Sequence, residues 1–309
     1  MRTLLVTHPS ALEHEMGRGH PERPDRVRAI DQALDESQFG ELVRIIAPKA
    51  GREEALRVHS EAYLGALEKA SPNEGLIPLD ADTAMNARTL DAAYFAAGGA
   101  VAAVAAVMEK RAKNAFVVAR PPGHHAGVST PMGFCFLNNV AIAARNALAV
   151  HGAQRVAIVD FDVHHGNGTQ EVFWADPNVL FCSTHQAPFY PGTGWRNETG
   201  EHGTIVNAPL PAGADGELFS EALREVVLPR VKAFQPDLLL ISAGFDAHRD
   251  DPLGGLRLDE QDFFEATQRL MEMAENCCEG RVVSLLEGGY DLAALARSVA
   301  AHVAALQGA

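Results

Sequence analysis

Two aspartates and one histidine have the residue types and spacing of a catalytic metal site. Asp162 and His164 lie two positions apart, so an extended backbone points both side chains to one face. Asp246 ends another apolar run and supplies a third ligand. A lone Asp-x-His pair is more often a hydrogen-bonded turn, but three ligands that leave positions open for water and substrate are typical of catalytic sites. This ligand set is oxygen-rich for Zn²⁺, and Fe²⁺, Mn²⁺ or Co²⁺ could also occupy it.

The adjacent histidines His124 and His125 follow a Pro-Gly sequence and are candidates for proton transfer. A neutral imidazole can take a proton from an attacking water and return it to a leaving amine. Neighbouring loop histidines are often plain surface residues. Here Asp160 and Asn167 lie beside the candidate metal ligands and can orient the two rings by hydrogen bonds. We therefore predict that His125 is the general base and acid, and that His124 is mainly electrostatic.

A phenol follows a permissive turn in the run Glu287-Gly288-Gly289-Tyr290. The glycines allow positive φ or a close approach of the backbone to a substrate. Tyr290 can then donate a hydrogen bond to the oxyanion that forms on an attacked carbonyl, a contribution of about 3–4 kcal/mol. The alternative is a tyrosine that packs beside a tight turn.

Aromatic residues occur in two irregular segments, at 133–136 and 189–192. Two facing rings would form a narrow apolar slot for an aliphatic chain such as the lysine methylenes. Packing in the core is the alternative for any aromatic pair, but loop placement favours a role in binding.

The pattern of elements predicts an α/β fold. Continuous apolar runs of strand length occur at 4–7, 42–46, 116–119, 156–159, 179–182, 238–242 and 282–286. Helical patterns lie between them at 23–34, 53–70, 86–111, 138–150, 217–234, 259–276 and 292–306. Apolar runs without alternation are typical of parallel strands with helices on both faces. We therefore predict one doubly wound α/β domain over residues 1–309.

The polar clusters described above each follow the end of a predicted strand. Ligands of open parallel sheets bind beyond the carboxyl ends of the strands, so these clusters are expected to meet in one crevice. The irregular stretches at 123–136, 186–203 and 247–258 are too long for plain connections, and we expect them to build the same site.

Composition excludes some classes of partner. The chain has 40 acidic and 26 basic residues and a net charge of −14, which disfavours nucleic acid and anionic membranes. No window approaches the roughly 18–20 uninterrupted apolar residues of a membrane span, and we read 96–108 as a buried helix. The four cysteines form neither a disulfide framework nor a Cys-x-x-Cys site, and the N-terminus is unlike a signal peptide, so we predict a cytoplasmic protein. Oligomeric state is left open, and a homo-oligomer is compatible with the sequence.

With these motifs assembled, the chain resembles the zinc-dependent histone deacetylase family, including its bacterial deacetylase-like and acetylpolyamine amidohydrolase members. The resemblance begins at Gly19-His20-Pro21-Glu22-Arg23-Pro24 and continues through residues 120–125, 133–138, 160–170, 242–246 and 287–290. It implies a three-layer α/β/α arginase-like fold with a central, mostly parallel sheet of about eight strands. It also implies a zinc-dependent amidohydrolase that removes acetyl or other acyl groups from lysine side chains or related amines.

The resemblance also assigns site residues. It implies zinc on Asp162, His164 and Asp246, proton transfer by the His124/His125 pair, and Tyr290 as oxyanion donor. Phe134 and Tyr190 would flank the acyl-lysine tunnel, with the carbonyl of Gly133 facing the substrate. A structural K⁺ ion is implied, with contacts to Asp160, Asp162, His164, Ser183 and Thr184.

Three positions bear on the substrate. Asn167 stands where one major subgroup carries Asp, and its surrounding run is similar to class II members. Leu253 stands where polyamine-selective relatives tend to carry an acidic gatekeeper, so acyl-lysine or a more apolar substrate is favoured. Asp82 is a candidate for holding substrate at the rim.

Three alternatives stay open at this point. An acetylpolyamine amidohydrolase would use the same chemistry on a different amine. A binuclear manganese ureohydrolase of the arginase type would need extra bridging carboxylates. A non-catalytic acyl-lysine binding module would not need the histidine base and the phenol.

Overall fold

Ten strands are present in the computed structural model of the protein, which describes residues 2–308. In chain order they are β1 Thr3–Thr7, β2 Val43–Ile46, β3 Leu76–Pro78, β4 Ala84–Asn86, β5 Asn114–Val117, β6 Val156–Asp160, β7 Val179–Gln186, β8 Ile205–Leu210, β9 Leu238–Ala243 and β10 Val282–Leu286. Eight of them form one sheet in the order β2-β1-β5-β10-β9-β6-β7-β8, and every neighbouring pair is parallel. The remaining pair, β3 and β4, is a separate antiparallel hairpin.

Helices connect the strands. They are α1 Asp25–Leu34, α2 Arg52–Leu56, α3 Glu61–Ala70, α4 Thr89–Met108, α5 Asn139–Val150, α6 Asn167–Phe173, α7 Gly216–Ala222, α8 Leu228–Phe234, α9 Glu260–Cys278 and α10 Leu292–Gln307. Short 3-10 turns occur at Pro9–Leu12 and Ser37–Phe39, and a π-helical turn at Leu223–Val227 joins α7 to α8.

The two faces of the sheet pack against different helices. Along β6, Val156 and Ile158 point into one apolar cluster with α4 and α5. Ala157 and Val159 alternate with them and point into the other cluster, with α1, α9 and α10. Both sets are fully buried, which explains why the strand is apolar without alternation. The predicted three-layer α/β/α fold with a parallel sheet of eight strands is confirmed.

Several element boundaries differ from the prediction. The segment at 53–70 is two helices because Ser60 caps a new helix, accepting a hydrogen bond from Tyr63 N. The segment at 217–234 contains the π-helical turn. Strand β8 was not predicted, since Asn207 and Pro209 interrupt its apolar pattern. Pro209 is tolerated because β8 is an edge strand.

Helix α4 is the one described helix whose length and composition would allow it to cross a membrane. Sixty-seven per cent of its most apolar window is buried inside the protein, where it packs against the sheet and α5. The buried helix predicted at 96–108 is therefore part of α4.

The strand register brings the polar clusters to one edge of the sheet. Asp160 is the last residue of β6, and it pairs with Ser242 of β9 on one side and Ser183 of β7 on the other. Because all these strands are parallel, the segments that follow β5, β6, β9 and β10 leave the sheet on the same side.

Candidate active site

The structure brings Asp162, His164 and Asp246 together at this edge. Nδ1 of His164 lies 3.1 Å from Oδ1 of Asp162 and 3.1 Å from Oδ2 of Asp246. One ligand atom from each residue lies within 4.8 Å of the others. Tetrahedral zinc bonds of about 2.0 Å place ligand atoms about 3.3 Å apart, which is close to the two separations from His164.

Backbone N–H groups hold the two carboxylates in place. Asp162 accepts hydrogen bonds from His164 N at 2.9 Å and from Gly288 N at 2.8 Å, and Asp246 accepts one from Val163 N at 2.9 Å. A side chain at Gly288 would collide with the carboxylates of Asp246 and Asp162, so glycine is required for this approach. These bonds fix the oxygens of the cluster before any ion binds.

The charges of the cluster favour a cation. Burial alone would lower the pKa of His164, but hydrogen bonds and charge from Asp162 and Asp246 raise that pKa to about 10. Burial and the nearby charge of Asp162 raise the pKa of Asp246 to about 7. A divalent cation would stabilise both ionised carboxylates and take the place of the proton on His164. Proton and metal therefore compete for this site, and metal binding is expected to strengthen as pH rises.

The two adjacent imidazoles have unlike partners. Nδ1 of His124 lies 2.9 Å from Oδ2 of Asp160, and Nδ1 of His125 lies 2.7 Å from Oδ1 of Asn167. The amide of Asn167 is oriented by a hydrogen bond from its Nδ2 to the sulfur of Met132 at 3.4 Å, which leaves Oδ1 to accept from His125. Nδ1 of His125 therefore carries the proton, and its Nε2 is left with a free lone pair.

Burial and nearby charges give the two rings different pKa values. Burial alone would lower the pKa of His124, but the charges of Asp160, Asp162 and Glu287 raise it well above its usual value. Burial and the nearby His124 and His164 lower the pKa of His125 well below its usual value. The pair thus has one ring that holds a proton and one that is free to accept one.

Glu287 holds the backbone that carries these rings. Its carboxylate accepts hydrogen bonds from Gly123 N at 2.7 Å, from His124 N at 3.1 Å and from Ser242 Oγ at 3.0 Å. The sequence placed Glu287 in a conspicuous run but gave no reason to assign it this role. Its contacts are made across 164 and 163 positions of the chain, so they are invisible to local spacing.

Tyr290 is a buried phenol beside the slot. Burial raises its pKa well above the usual value, so the hydroxyl stays protonated at neutral pH and can donate. The guanidinium of Arg26 lies 4.9 Å from the centre of the Tyr290 ring, and its Nε and Nη2 donate to the carbonyl oxygens of Gly289 and Glu287. The turn and the ring are therefore held from the same side.

A cavity of about 240 Å³ leads to the cluster. It is lined by Asp82, His125, Gly133, Phe134, His164, Phe189, Tyr190, Leu253 and Tyr290. Phe189 stacks on His164 with ring centres 5.4 Å apart, and Tyr190 meets His125 edge-on at 5.4 Å. The sequence singled out the segment of Phe189 but not this contact. The slot is smaller than the roughly 300–1,000 Å³ of drug-sized pockets, which suits one slender chain.

One threonine links the wall of the slot to its rim. Oγ1 of Thr83 accepts a hydrogen bond from Phe134 N at 3.1 Å and donates to Oδ1 of Asp82 at 3.1 Å. Phe134 has a φ of 70°, a left-handed conformation that an L residue adopts only when its surroundings impose it. Nε2 of His20 also lies 3.1 Å from the carbonyl oxygen of Asp82. Neither Thr83 nor His20 was singled out from the sequence as a site residue.

Three of the residues expected around K⁺, namely Asp160, Ser183 and Thr184, are neighbours in the sheet. Asp160 pairs with Ser183 across β6 and β7, and Thr184 Oγ1 lies 3.5 Å from the carbonyl oxygen of Asp160. Ser183 Oγ lies 2.8 Å from Nδ1 of His185. Asp160, Ser183 and Thr184 are buried, and a monovalent cation here would offset part of the negative charge that Asp160 carries into the interior.

Beyond the strand ends of this parallel sheet lie candidate metal ligands, a proton acceptor and a hydrogen-bond donor, which together can carry out the hydrolysis of an amide. The family description "Histone deacetylase domain" matches residues 20–306. The chain belongs to the histone deacetylase family. It is 44% identical over 298 residues to the "Probable deacetylase" of Archaeoglobus fulgidus. The alignment covers 94% of this chain and 82% of that protein.

Two further comparisons support membership of the same family. The chain is 40% identical over 317 residues to "Histone deacetylase 10, chloroplastic" of Oryza sativa subsp. japonica, covering 96% of this chain and 71% of that protein. The crystal structure of the HDA15 HD domain superposes with a TM-score of 0.93 and 39% identity, covering 99% of this chain and 88% of that chain. The resemblance and the amide-hydrolase class inferred from the sequence are confirmed.

Proposed function

We propose that this chain is one catalytic domain over residues 1–309 that removes acetyl or other acyl groups from lysine side chains or related amines. The observation that carries the proposal is the asymmetry of the imidazole pair beside the three-residue ligand cluster. Asp160 faces His124 and Asn167 faces His125, and the two rings differ in charge: His124 is cationic and His125 is a neutral proton acceptor. Acyl transfer to water needs both functions at one carbonyl.

The chain's own residues divide the work. The aliphatic part of the substrate lies between Phe134 and Tyr190, which places the acyl group at the base of the slot. His125 removes a proton from the attacking water through Nε2 and returns it to the departing amine. Tyr290 donates a hydrogen bond to the oxyanion, and the cationic ring of His124 lowers the energy of the same negative charge.

We assign Zn²⁺ to Asp162, His164 and Asp246, and the same ligands accept Fe²⁺, Co²⁺ or Mn²⁺. When bound, such an ion supplies Lewis acidity, which polarises a carbonyl and increases the acidity of water. We also propose a structural K⁺ ion near Asp160, Ser183 and Thr184.

Three features favour this function over its alternatives. Among residues 2–308, a single cluster of three candidate ligands is found, which favours one catalytic metal over the two of a manganese ureohydrolase. Leu253 lines the slot at a position where a carboxylate would be needed to bind the distal ammonium of a polyamine. Its apolar side chain favours acyl-lysine over acylpolyamine. The base and phenol are both in place, which a non-catalytic binding module would not require.

The expected partners are acyl-lysine peptides, acyl-lysine proteins or small acylated amines. We place the reaction in the cytoplasm, on the ground that the free cysteines fit a reducing compartment, although the rice relative is named chloroplastic.

The proposal is tested by comparing kcat/KM of the zinc-loaded protein on a fluorogenic acetyl-lysine peptide and on acetylputrescine. We expect hydrolysis of both, with the peptide preferred by about tenfold or more. Asp246→Asn is the matched control, because it keeps the shape and removes a ligand. Hydrolysis of neither amide, or release of urea from a guanidino substrate, would overturn the proposal.

A further inference from the structure

Asp251 lies buried behind the slot, with 7% of its surface exposed. One carboxylate oxygen accepts hydrogen bonds from Tyr290 N at 2.6 Å and from Asp291 N at 3.2 Å. The other oxygen accepts a hydrogen bond from Leu253 N at 2.9 Å. A single side chain thus contacts the segment of the phenol and the segment of the slot wall.

Neither Leu253 nor Tyr290 lies in a strand, so strand pairing does not align these two residues. Leu253 belongs to the loop after β9, and Tyr290 follows β10 in the turn that leads into α10. Asp291 is the N-cap of α10, and its side chain accepts a hydrogen bond from Ala294 N at 2.8 Å. The bond from Asp291 N to Asp251 therefore also ties the start of α10 to the loop that carries Leu253.

The bonds act on backbone, so they set where each side chain starts. Charge-assisted hydrogen bonds are among the stronger ones, and a buried carboxylate that receives three of them is a rigid point of attachment. A shift of the Tyr290 backbone would move its hydroxyl away from the oxyanion. A shift of the Leu253 backbone would change the width of the slot, with no direct effect on the reacting atoms.

We propose that Asp251 is a positioning residue that aligns the oxyanion donor Tyr290 and the wall residue Leu253 with each other. The proposal rests on the function proposed above for Tyr290. It adds that one shared carboxylate sets both substrate selection at Leu253 and catalysis at Tyr290. Asp251 does so through bonds to the backbone of these residues and not through contact with their side chains.

Asp251→Ala removes all three hydrogen bonds and tests the phenol. We expect kcat to fall by about 10- to 100-fold, a part of the loss caused by deleting an oxyanion donor. In the Tyr290→Phe background the same change should lower kcat by less than about threefold, because no hydroxyl remains to be displaced. A purely structural role would give equal losses in both backgrounds, and that result would overturn the proposal.

Asp251→Asn distinguishes the effect on Tyr290 from the effect on Leu253. It also keeps the shape of the side chain, in case Asp251→Ala does not fold. An amide has one acceptor oxygen, which should take the side with two donors, leaving its NH₂ group against Leu253 N. We expect KM to rise several-fold with kcat near wild type, and the rise to disappear in the Leu253→Gly background. Loss of kcat without any change in KM would contradict this assignment.

Asp237→Asn is the matched control. Its carboxylate also accepts two backbone hydrogen bonds, from Gln154 N at 2.8 Å and Arg155 N at 3.0 Å, but it precedes β9 at the opposite edge of the sheet. We expect kcat and KM to stay at wild-type values. If the wild type hydrolyses no acyl amide, the proposed function fails; if it does and Asp251→Ala is without effect, only the positioning role fails.

Discussion

The base of the slot and its rim are built in different ways. At the base, Asp162, His125 and Asp246 are nearly or fully buried, and they follow the ends of central strands. At the rim, Tyr190 is 38% exposed and lies in the long segment between β7 and β8, and the exposed Asp82 lies in the short connection between β3 and β4. The comparison indicates that the sheet positions the reacting groups, whereas the connecting segments determine which substrate can reach them.

Hydrogen bonding follows the same division. Each carboxylate at the base is held by backbone N–H groups from neighbouring strand ends. At the rim, a side-chain hydroxyl, that of Thr83, joins Phe134 to the carboxylate of Asp82. Changes at the base should therefore reduce kcat strongly, and changes at the rim should alter KM or selectivity by smaller factors.

His125→Ala should produce the largest loss among the side chains of the base. General acid–base catalysis contributes about 10²- to 10⁴-fold, and we expect kcat to fall within that range while the fold is retained. Steady-state kinetics with a thermal melt give the measurement. His202→Ala, at an exposed position, is the control and should be neutral. Near-normal kcat in the His125 variant would remove this residue from the mechanism.

Tyr290→Phe should have the next largest effect. Removal of one oxyanion donor costs about 10²- to 10³-fold in kcat, and KM should change little because the hydroxyl acts mainly in the transition state. The comparison of kcat with KM on one acetyl-lysine peptide decides the point. An equal rise in KM with kcat unchanged would mean that the phenol binds substrate and does not stabilise the oxyanion.

Thr83→Val tests the rim against the base. It keeps the shape of the side chain and removes two hydrogen bonds of about 1 kcal/mol each, so we expect KM to rise by about 5- to 30-fold with kcat nearly constant. Thr83→Ser retains the hydroxyl and should behave as wild type. A fall in kcat without a change in KM would show that rim and base are not separable in this way.

Leu253→Glu should have the smallest effect on turnover, because it should leave kcat nearly unchanged and alter only the selectivity. A carboxylate at this wall would attract a distal ammonium, so the ratio of kcat/KM for acetylputrescine over acetyl-lysine peptide should rise by about tenfold. Leu253→Gln is the uncharged control. An unchanged ratio would remove Leu253 from substrate selection.

The same division explains what the sequence could predict. Continuous apolar runs such as 238–242 gave the parallel strands, and residues at their ends gave the metal ligands, because register in a parallel sheet places them at one edge. Strand β8 was missed because Asn207 and Pro209 break its pattern. The contacts that loop residues make with one another were not predicted from the sequence.

Glu287, Thr83 and Asp251 illustrate why. Each acts on backbone that is distant in sequence, and its effect depends on how two irregular segments lie against each other. Periodic patterns in the sequence predict helices and strands, but they do not predict which backbone group a polar loop residue will contact. The wall residues Phe134, Tyr190 and Leu253 were found through the resemblance to a family and through loop placement, and the cavity they line was visible only in three dimensions.

The most direct test of the account is a titration of metal-free protein with Zn²⁺, followed by turnover of an acetyl-lysine peptide and by metal analysis. The cluster of Asp162, His164 and Asp246 predicts that turnover rises linearly and stops at one ion per chain, and that Asp246→Asn binds zinc at least tenfold more weakly. Full turnover in the metal-free protein, or a requirement for two ions per chain, would contradict it.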